Sequence, residues 1–325
     1  MKVLAYSYRE DEERFFAEFA ELYGIELTTC RDGVSLENAD LAKGFDCISI
    51  ITTKVDALLV DKLADNGVKL ISTRTIGYDH VDVARCKERG VRVSNVSYAP
   101  ESVADYAIML MLMASRKMKH IMERFAVQDF TLAKVQGRVL ANMTVGIVGT
   151  GRIGQTVIRH LSGFGCKILC CDIFENEECK KYATYTDLDT LISECDLISL
   201  HAPLNDETYH IVSKKNIDRM KEGVIIVNTA RGALIDTMDL AAGIESGKVG
   251  AAALDVIEDE SLLYYTDRKY ESLDNRGLAI LRSYPNVILT PHTAFYTDQA
   301  VSDMVKYSLM SCMYYYQGKN IPWEK

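Results

Sequence analysis

The sequence predicts an α/β protein built from two doubly wound parallel sheets. Short runs of β-branched and aliphatic residues alternate with stretches of helical periodicity along nearly the whole chain, as in successive βαβ units. The alternation falls into two series, the second of which begins at residue 144. The chain has 325 residues, which is long for one hydrophobic core, so each series is expected to form its own domain.

The first series begins with a strand over residues 2–8 and an amphipathic helix over 10–23. Helical stretches near 54–66 and 81–89 separate further strand candidates with the sequences IELTTC, FDCISIITT, VKLISTRT and VRVSNVS. One long helix is predicted from 101 to 122, with a proline just before it where proline is tolerated.

The second series has strand candidates with the sequences TVGIVG, KILCCD, DLISLH, GVIIVNT, GAAALDV and NVILTP. Helices are predicted between them at roughly 152–164, 187–193, 214–220 and 236–246. The final stretch, 295–325, is aromatic and is predicted to be helical. If it returns to pack on the first series, the first domain is discontinuous.

Composition argues against several kinds of partner. The formal net charge is −9 with no basic run, which does not suit nucleic acid or an anionic membrane. The longest apolar run, residues 107–114, is too short to span a bilayer, and no signal peptide is evident at the N-terminus. The nine cysteines are odd in number and form no CxxC pair, so we expect reduced thiols, no metal site and a cytoplasmic location.

The stretch TVGIVGTGRIG, residues 144–154, predicts a dinucleotide site. A strand-like run leads into Gly149, Gly151 and Gly154, and Asp172 follows at the end of the next apolar run. In this pattern the glycines allow a tight turn, a close approach to a pyrophosphate and helix–strand packing. An acidic residue at the second strand end, followed by acidic rather than basic residues, favours NAD over NADP. A glycine-rich turn without a ligand is the alternative.

Three further strand ends carry residues suited to hydroxyl–ketone chemistry. Arg231 ends the strand VIIVNTAR, where a guanidinium could hold a carboxylate through two hydrogen bonds. His292 follows NVILTP, and an imidazole suits proton transfer near neutrality. A carboxylate bonded to that imidazole would fix its tautomer, but spacing alone does not choose among Glu258, Asp259 and Glu260.

The chain resembles the NAD-dependent D-2-hydroxyacid dehydrogenases nearly end to end. The motifs VGIVGTGRIG, LHAPL, VNTARGALID, AALDV and LTPHTAFYT occur in that family's order. Within the family the chain is most similar to the D-lactate dehydrogenase branch. Two stretches, NVSYAPESVADYAIMLMLMA and GRVLANMTVGIVGTG, are similar to the vancomycin-resistance type of that branch. One departure is Asp105, where many relatives carry Glu.

The resemblance implies roles for individual residues. It implies that Arg231 binds the substrate carboxylate, that His292 is the acid/base and that Glu260 is the carboxylate that orients it. The implied cofactor-binding residues are Gly149, Gly151, Arg152, Ile153, Gly154, Asp172, Ala202, Pro203, Thr208, Thr229, Ala230 and Asp255. The implied substrate-binding residues are Ile76, Gly77, Tyr98, Arg231 and Tyr296, with Phe295 beside the last.

The resemblance also implies an architecture and a partner. A Rossmann NAD-binding domain, residues 100–293, is expected to be inserted in a flavodoxin-like substrate domain made of residues 1–99 and 294–325. Relatives pair as homodimers through their cofactor domains, which here corresponds to 101–122 and 123–142.

The expected reaction is the NADH-dependent reduction of a small 2-keto acid, with pyruvate favoured as the substrate and D-lactate as the product. A bulkier 2-keto acid, such as phenylpyruvate or 2-ketoisocaproate, stays open, because aromatic residues such as Tyr98 and Tyr296 could also stack on a larger group. 2-Oxoglutarate would call for an extra cation, which is not evident. A phosphoglycerate dehydrogenase would need basic residues for its phosphate. An NAD-sensing corepressor-like binding protein is the alternative from a different functional class.

Overall fold

The computed structural model describes residues 1–260, 263–265 and 267–325, which fall into two compact units. Unit 1 comprises Met1–Ala99 and Tyr296–Lys325, and unit 2 comprises Pro100–Phe295. Every pair of neighbouring strands in the described sheets is parallel, which confirms the predicted fold class. No helix in the described residues is long and apolar enough to cross a membrane.

Unit 1 contains a sheet in which the described residues form five strands. The strands are β1 (Lys2–Ala5), β2 (Glu26–Thr29), β3 (Cys47–Ile50), β4 (Leu70–Thr73) and β5 (Arg92–Ser94), and the helices between them are α1 (Glu13–Tyr23), α2 (Ala57–Asp65) and α3 (Val83–Glu88). The strand order is β2-β1-β3-β4-β5. The direction of winding therefore reverses between β1 and β3, as in flavodoxin-like sheets.

Unit 2 begins with two helices and continues with a sheet in which the described residues form seven strands. The helices are α4 (Glu101–Ser115), α5 (Met118–Ala126), α6 (Arg152–Leu161), α7 (Glu177–Lys180), α8 (Leu188–Glu194), α9 (Lys214–Ile217), α10 (Thr237–Glu245) and α11 (Arg276–Ser283). The strands are β6 (Thr144–Val148), β7 (Lys167–Cys171), β8 (Thr184–Tyr185), β9 (Leu197–Leu200), β10 (Val224–Asn228), β11 (Val249–Leu254) and β12 (Val287–Leu289).

The strand order of unit 2 is β8-β7-β6-β9-β10-β11-β12, so its winding reverses between β6 and β9. Two apolar clusters cover the two faces of this sheet. Alternate residues of β10 divide between them, with Ile226 in one cluster and Ile225 and Val227 in the other. A strand buried on both faces places its polar residues at its carboxyl end, which is where ligands bind in open α/β sheets.

The single long helix predicted over 101–122 is wrong, because the structure breaks it into α4 and α5. Lys117 lies between them with φ of 54°, in the left-handed region. The carbonyl of Ser115 accepts a hydrogen bond from the backbone N–H of Arg138 at 2.8 Å. Gly137 lies so close that a Cβ on it would be 2.8 Å from that carbonyl oxygen. The returning segment thus takes the acceptor that a continuous helix would use.

The last helix, α12 (Asp298–Tyr316), belongs to unit 1. Its apolar face packs on α1 and the sheet through Val301, Val305 and Leu309. The prediction of helix over the whole of 295–325 is correct only in this central part, since the chain after Tyr316 turns and forms an antiparallel bridge from Glu324 to Ser94. Helix α11 was not predicted.

Candidate functional site

The glycine turn after β6 has the close approaches that its sequence predicts. Gly149 has φ of 93°, and a Cβ on it would be 2.6 Å from the backbone nitrogen of Ala202. A Cβ on Gly154 would be 2.0 Å from the carbonyl oxygen of Gly149. Gly151, by contrast, has no atom within 4 Å of its Cβ position. The first and third glycines therefore close the turn, and the second leaves open space at the start of α6.

The residues around this turn fit a dinucleotide. Gly151 precedes α6 without a side chain to cap it, and Arg152 and Ile153 form the first turn of that helix, whose N–H groups favour an anion. Asp172 is exposed at the end of β7, and its Oδ2 accepts hydrogen bonds from the backbone N–H of Thr150 at 2.6 Å and its Oγ1 at 3.2 Å. The carboxylate thus fixes the turn and lies at its solvent edge.

The loop after β9 is held by its own side chains. Ala202 is buried beside the glycine turn and Pro203 is exposed. The Oγ1 of Thr208 donates to the carbonyl of Pro203 at 2.6 Å and accepts from the backbone N–H of Asn205 at 2.9 Å. These hydrogen bonds fix the conformation of the loop that carries the predicted cofactor residues 202, 203 and 208.

The end of β10 is shaped by Asn228, a residue that none of the sequence motifs indicated. Its Nδ2 donates to the carbonyl of Arg231 at 2.7 Å, and its Oδ1 accepts from the backbone N–H of Ala230 at 3.0 Å. Arg231 Nη1 donates to the carbonyl of Ala230 at 2.7 Å. Thr229 Oγ1 is buried and has no hydrogen-bond partner among the residues that the structure describes. A buried hydroxyl of this kind can bond a polar ligand.

Gly232 sets the distance between the loops after β10 and β11. A Cβ on Gly232 would be 2.0 Å from the carbonyl carbon of Ile257 and 2.5 Å from the nitrogen of Glu258. Any side chain here would push these two loops apart. The sequence shows only that a glycine follows Arg231. Its spacing does not reveal that Gly232 packs against the loop after β11.

His292 and Glu260 form a hydrogen-bonded pair. The His292 Nδ1 lies 2.6 Å from Glu260 Oε1, and both side chains are partly exposed. The second oxygen of Glu260 accepts from the backbone N–H of Ile257 at 2.9 Å. His292 has φ of 53°, and its backbone N–H donates to the carbonyl of Asp255 at 2.8 Å. The pair thus sits on two segments that are fixed to each other.

Asp255 is fully buried and holds the segment that carries His292. Its Oδ1 accepts from Thr290 Oγ1 at 2.6 Å and from the backbone N–H of Thr293 at 2.9 Å. Its Oδ2 accepts from the backbone N–H of Ala294 at 2.8 Å. The contacts of this carboxylate in the structure are therefore with the His292 segment, and its implied role in cofactor binding stays a prediction.

The structure separates the acidic residues that spacing left equivalent. Glu260 bonds His292, whereas Glu258 Oε1 lies 2.7 Å from Nε2 of a different histidine, His210. Asp259 has φ of 57° and lies between them in the turn. Two acidic residues in one short segment therefore serve two different imidazoles.

His201 lies at the same edge of the sheet in a different environment. Its Nε2 lies 2.9 Å from Ser199 Oγ, which is a neutral partner. Burial lowers the pKa of His201 to about 4. The ring is therefore neutral near pH 7 beneath the glycine turn.

The predicted substrate-binding residues outside the sheet edge belong to unit 1. Two hydrogen bonds fix the loop after β4. Thr75 Oγ1 donates to the carbonyl of Gly77 at 2.6 Å, and Asn95 Nδ2 donates to the carbonyl of Ile76 at 2.6 Å. Tyr98 is half-buried after β5. Tyr296 precedes α12, and the centre of its ring lies 5.8 Å from the Arg9 guanidinium. Desolvation, and to a smaller extent the negative charge of Asp11, raises the pKa of Tyr296.

Comparison with known proteins gives the family. Residues 108–294 match the family model described as D-isomer specific 2-hydroxyacid dehydrogenase, NAD binding domain. The chain is 44% identical to an aromatic 2-oxoacid reductase of Clostridium sporogenes, over 96% of this chain and 95% of that protein. It is 42% identical to a D-specific alpha-keto acid dehydrogenase of Enterococcus faecium, over 96% of both chains. It is 39% identical to a D-lactate dehydrogenase of Lactiplantibacillus plantarum, over 96% of this chain and 95% of that protein.

Solved structures agree with the sequence relatives. A D-lactate dehydrogenase from Treponema pallidum superposes with a TM-score of 0.90 at 32% identity, covering 100% of this chain and 99% of that one. A D-lactate dehydrogenase with NAD+ from Lactobacillus jensenii superposes with a TM-score of 0.86 at 32% identity, covering 99% of each chain. These findings confirm the predicted resemblance and the predicted cofactor. The chain belongs to the D-2-hydroxyacid dehydrogenases, and it contains the NAD-binding domain of that family.

Proposed function

We propose that this chain reduces a 2-keto acid to the D-2-hydroxy acid, with His292 as the acid/base, Glu260 as its partner and Arg231 as the carboxylate-binding residue. The observation that carries the proposal is the 2.6 Å contact between His292 Nδ1 and Glu260 Oε1 at the carboxyl edge of the NAD-binding sheet. Because Glu260 engages Nδ1, Nε2 is the atom from which the proton passes to the substrate oxygen. Bound NADH supplies the hydride, and the D configuration of the product follows from the family.

Charge placement supports the same division of roles. The substrate oxygen becomes anionic as the ketone is reduced, and fixed positive charge at that point usually contributes most to the rate. Protonated His292 and Arg231 are the two cations assigned to it. Glu260 stabilises the protonated imidazole and fixes its orientation through a second bond to Ile257.

We propose that unit 2, with the cofactor residues named above, binds NAD and that unit 1 supplies the substrate loop. Ile76 and Gly77 would present backbone N–H groups to the substrate carboxylate. Their carbonyl groups are already engaged by Asn95 and Thr75, so the loop is fixed before a substrate arrives. Tyr98 and Tyr296 would line the substrate side chain.

Two substrates are proposed, each supported by a different observation. Pyruvate follows from the resemblance to D-lactate dehydrogenases and is supported by a relative of that name at 39% identity. An aromatic 2-keto acid such as phenylpyruvate is supported by the aromatic 2-oxoacid reductase at 44% identity. The two acids share the carboxylate and the ketone and differ only in the side chain, so Arg231 and His292 have the same roles with either.

The deciding experiment measures NADH oxidation with pyruvate, phenylpyruvate, 2-ketoisocaproate and 2-oxoglutarate, in the wild type and in His292→Ala. We expect turnover with pyruvate or phenylpyruvate, and a loss of about 10³-fold in kcat in the variant. The acid with the highest kcat/KM identifies the side chain that the protein prefers. Folded protein that binds NADH without turning over any of these acids would exclude the proposal and favour a corepressor-like binding role.

We also propose that the protein is a homodimer that pairs through unit 2. The end of α5 and the segment after it expose several large apolar side chains, among them Phe125 at 69%, Phe130 at 69% and Leu132 at 86%. A patch of this kind on one segment is typical of a surface that another chain covers. Light scattering should give a dimer mass for the wild type and a monomer mass for the double variant Phe130→Glu, Leu132→Glu.

The expected cytoplasmic location stays a prediction.

A further inference from the structure

A second histidine–carboxylate pair lies in unit 2, apart from His292 and Glu260. His210 Nε2 is 2.7 Å from Glu258 Oε1, and its Nδ1 is 3.4 Å from Asp236 Oδ2. The ring of Tyr209 stacks on the imidazole with centroids 3.9 Å apart and planes inclined by 20°. The imidazole is therefore fixed by partners at both nitrogens and on one face.

Glu258 is fixed as firmly as His210. Its second oxygen accepts a hydrogen bond from the backbone N–H of Thr237 at 2.8 Å, in the first turn of α10. Asp236 caps the same helix by accepting from the N–H groups of Met238 and Asp239. Negative side chains are stabilised at a helix N-terminus, so both carboxylates that face His210 have a second reason to stay in place.

His210 connects three loops at the carboxyl edge of the sheet. It lies two residues after Thr208 in the loop that follows β9. Its backbone N–H donates to the carbonyl of Ala233 at 3.0 Å, in the loop that carries Arg231. Its side chain binds Glu258, two residues before Glu260. A loop with predicted cofactor residues, the Arg231 loop and the Glu260 segment therefore meet at one residue, His210.

The backbone of His210 indicates that this junction matters. Its φ is 51°, in the left-handed region, which residues other than glycine seldom adopt. Such a conformation persists when surrounding contacts determine it. Here these contacts are the bonds to Ala233 and Glu258.

We infer that His210 and Glu258 are positioning residues that hold the Glu260 segment in register with the Arg231 loop, so that His292 is presented correctly for proton transfer. The inference rests on the proposed function. The path from His210 to His292 has four links. His210 binds Glu258, the backbone connects Glu258 to Ile257, the N–H of Ile257 donates to Glu260, and Glu260 binds His292. Neither His210 nor Glu258 need touch the substrate.

The test compares His210→Gln and Glu258→Gln with a matched control, His160→Gln. His160 also has a carboxylate partner, since its Nδ1 lies 2.9 Å from Asp105 Oδ1, but that pair joins α6 to α4 at an exposed position. We expect kcat to fall about tenfold in both test variants, as for residues that orient a catalytic group, and to stay at the wild-type value in the control. The melting temperature of each variant checks that it is folded.

A double-mutant cycle separates positioning from general support of the fold. If His210 acts through Glu260, then His210→Gln should cost little further activity in a protein that already carries Glu260→Gln. Fully additive losses would overturn the inference, and so would an unchanged kcat in a folded His210→Gln protein. Wild-type turnover that is lost in His292→Ala would at the same time uphold the proposed function.

Imidazole NMR gives a readout that needs no turnover. The ring nitrogen resonances of His292 should shift in His210→Gln and stay in place in His160→Gln. Unshifted His292 resonances in His210→Gln would overturn the inference, whether or not the protein proves to be a dehydrogenase.

Discussion

Two histidines at the carboxyl edge of the unit 2 sheet have partners of different chemistry, a carboxylate and a hydroxyl. His292 bonds the carboxylate of Glu260 at 2.6 Å, and His201 bonds the hydroxyl of Ser199 at 2.9 Å. A hydroxyl does not offset the loss of water around an imidazolium, and burial lowers the pKa of His201 to about 4. The two rings therefore differ in the charge of their partners, since Glu260 presents a carboxylate to His292 and Ser199 presents a neutral hydroxyl to His201.

The same substitution at both histidines should give opposite results. His292→Gln should lower kcat/KM about 10³-fold, because the amide cannot take up and release a proton. His201→Gln should leave kcat/KM close to wild type, because a ring that is already neutral donates no proton. Steady-state rates of the two variants with the preferred keto acid make the comparison. A comparable loss at His201 would show that both rings take part in catalysis.

Removal of only the charge of the carboxylate sharpens the comparison. Glu260→Gln keeps a hydrogen-bonding group beside His292 but removes the charge that stabilises the protonated ring, so we expect kcat/KM to fall about 10²-fold. Asp259→Asn, one residue away, is the control, since Asp259 is not the partner of His292. Equal losses in the two variants would contradict the assignment of Glu260.

His201 should make the free energy of unfolding depend on pH. Its pKa in the folded protein, about 4, lies below the ordinary value of 6.5, so between these values the unfolded chain binds the proton first. Stability from this residue is complete above pH 6.5 and is lost as the pH falls from 6.5 through 4, by about 2 to 3 kcal/mol. Urea unfolding of wild type and His201→Gln across this range measures the difference. Parallel curves for the two proteins would contradict the prediction.

The smallest expected effect concerns the neutral partner. Ser199→Ala removes the hydroxyl beside His201 and should reduce the free energy of unfolding by about 1 kcal/mol. It should not change kcat/KM, because the bond it breaks does not reach the Glu260–His292 pair. Thermal unfolding and turnover of the same preparation give both values, and a selective loss of turnover would show that the Ser199–His201 pair contributes to the reaction.

Periodicity and glycine spacing were sufficient to predict much of unit 2. The helix predicted over 152–164 appears as α6 followed by a 3₁₀ turn over Ser162–Phe164, and the turn at Gly149 has the predicted close approaches. These features depend on residues near one another in the chain, so local sequence contains their signal.

Features that depend on distant residues were missed. The break at Lys117 follows from the return of Gly137 and Arg138, which periodicity within 101–122 cannot show. Asn228 is a polar residue at the end of an apolar strand, which is only a weak indication of function. Its role is shown by its hydrogen bonds to the backbone of Ala230 and Arg231. Spacing left Glu258 and Glu260 equivalent, because the choice between them depends on which histidine each one meets in three dimensions.

The buried carboxylate of Asp255 has a consequence for the order of biosynthesis. Its hydrogen-bond donors lie at residues 290–294, and the first of them, Thr290, follows it by 35 positions. A nascent chain that has emerged only as far as β11 would therefore have to bury this carboxyl group without its hydrogen-bond donors, which is unfavourable. Docking of β11 is thus tied to the arrival of β12. The ribosome must deliver the segment that carries His292 before this part of the sheet can close, so a fragment that stops short of residue 290 should not accumulate as a folded, inactive domain.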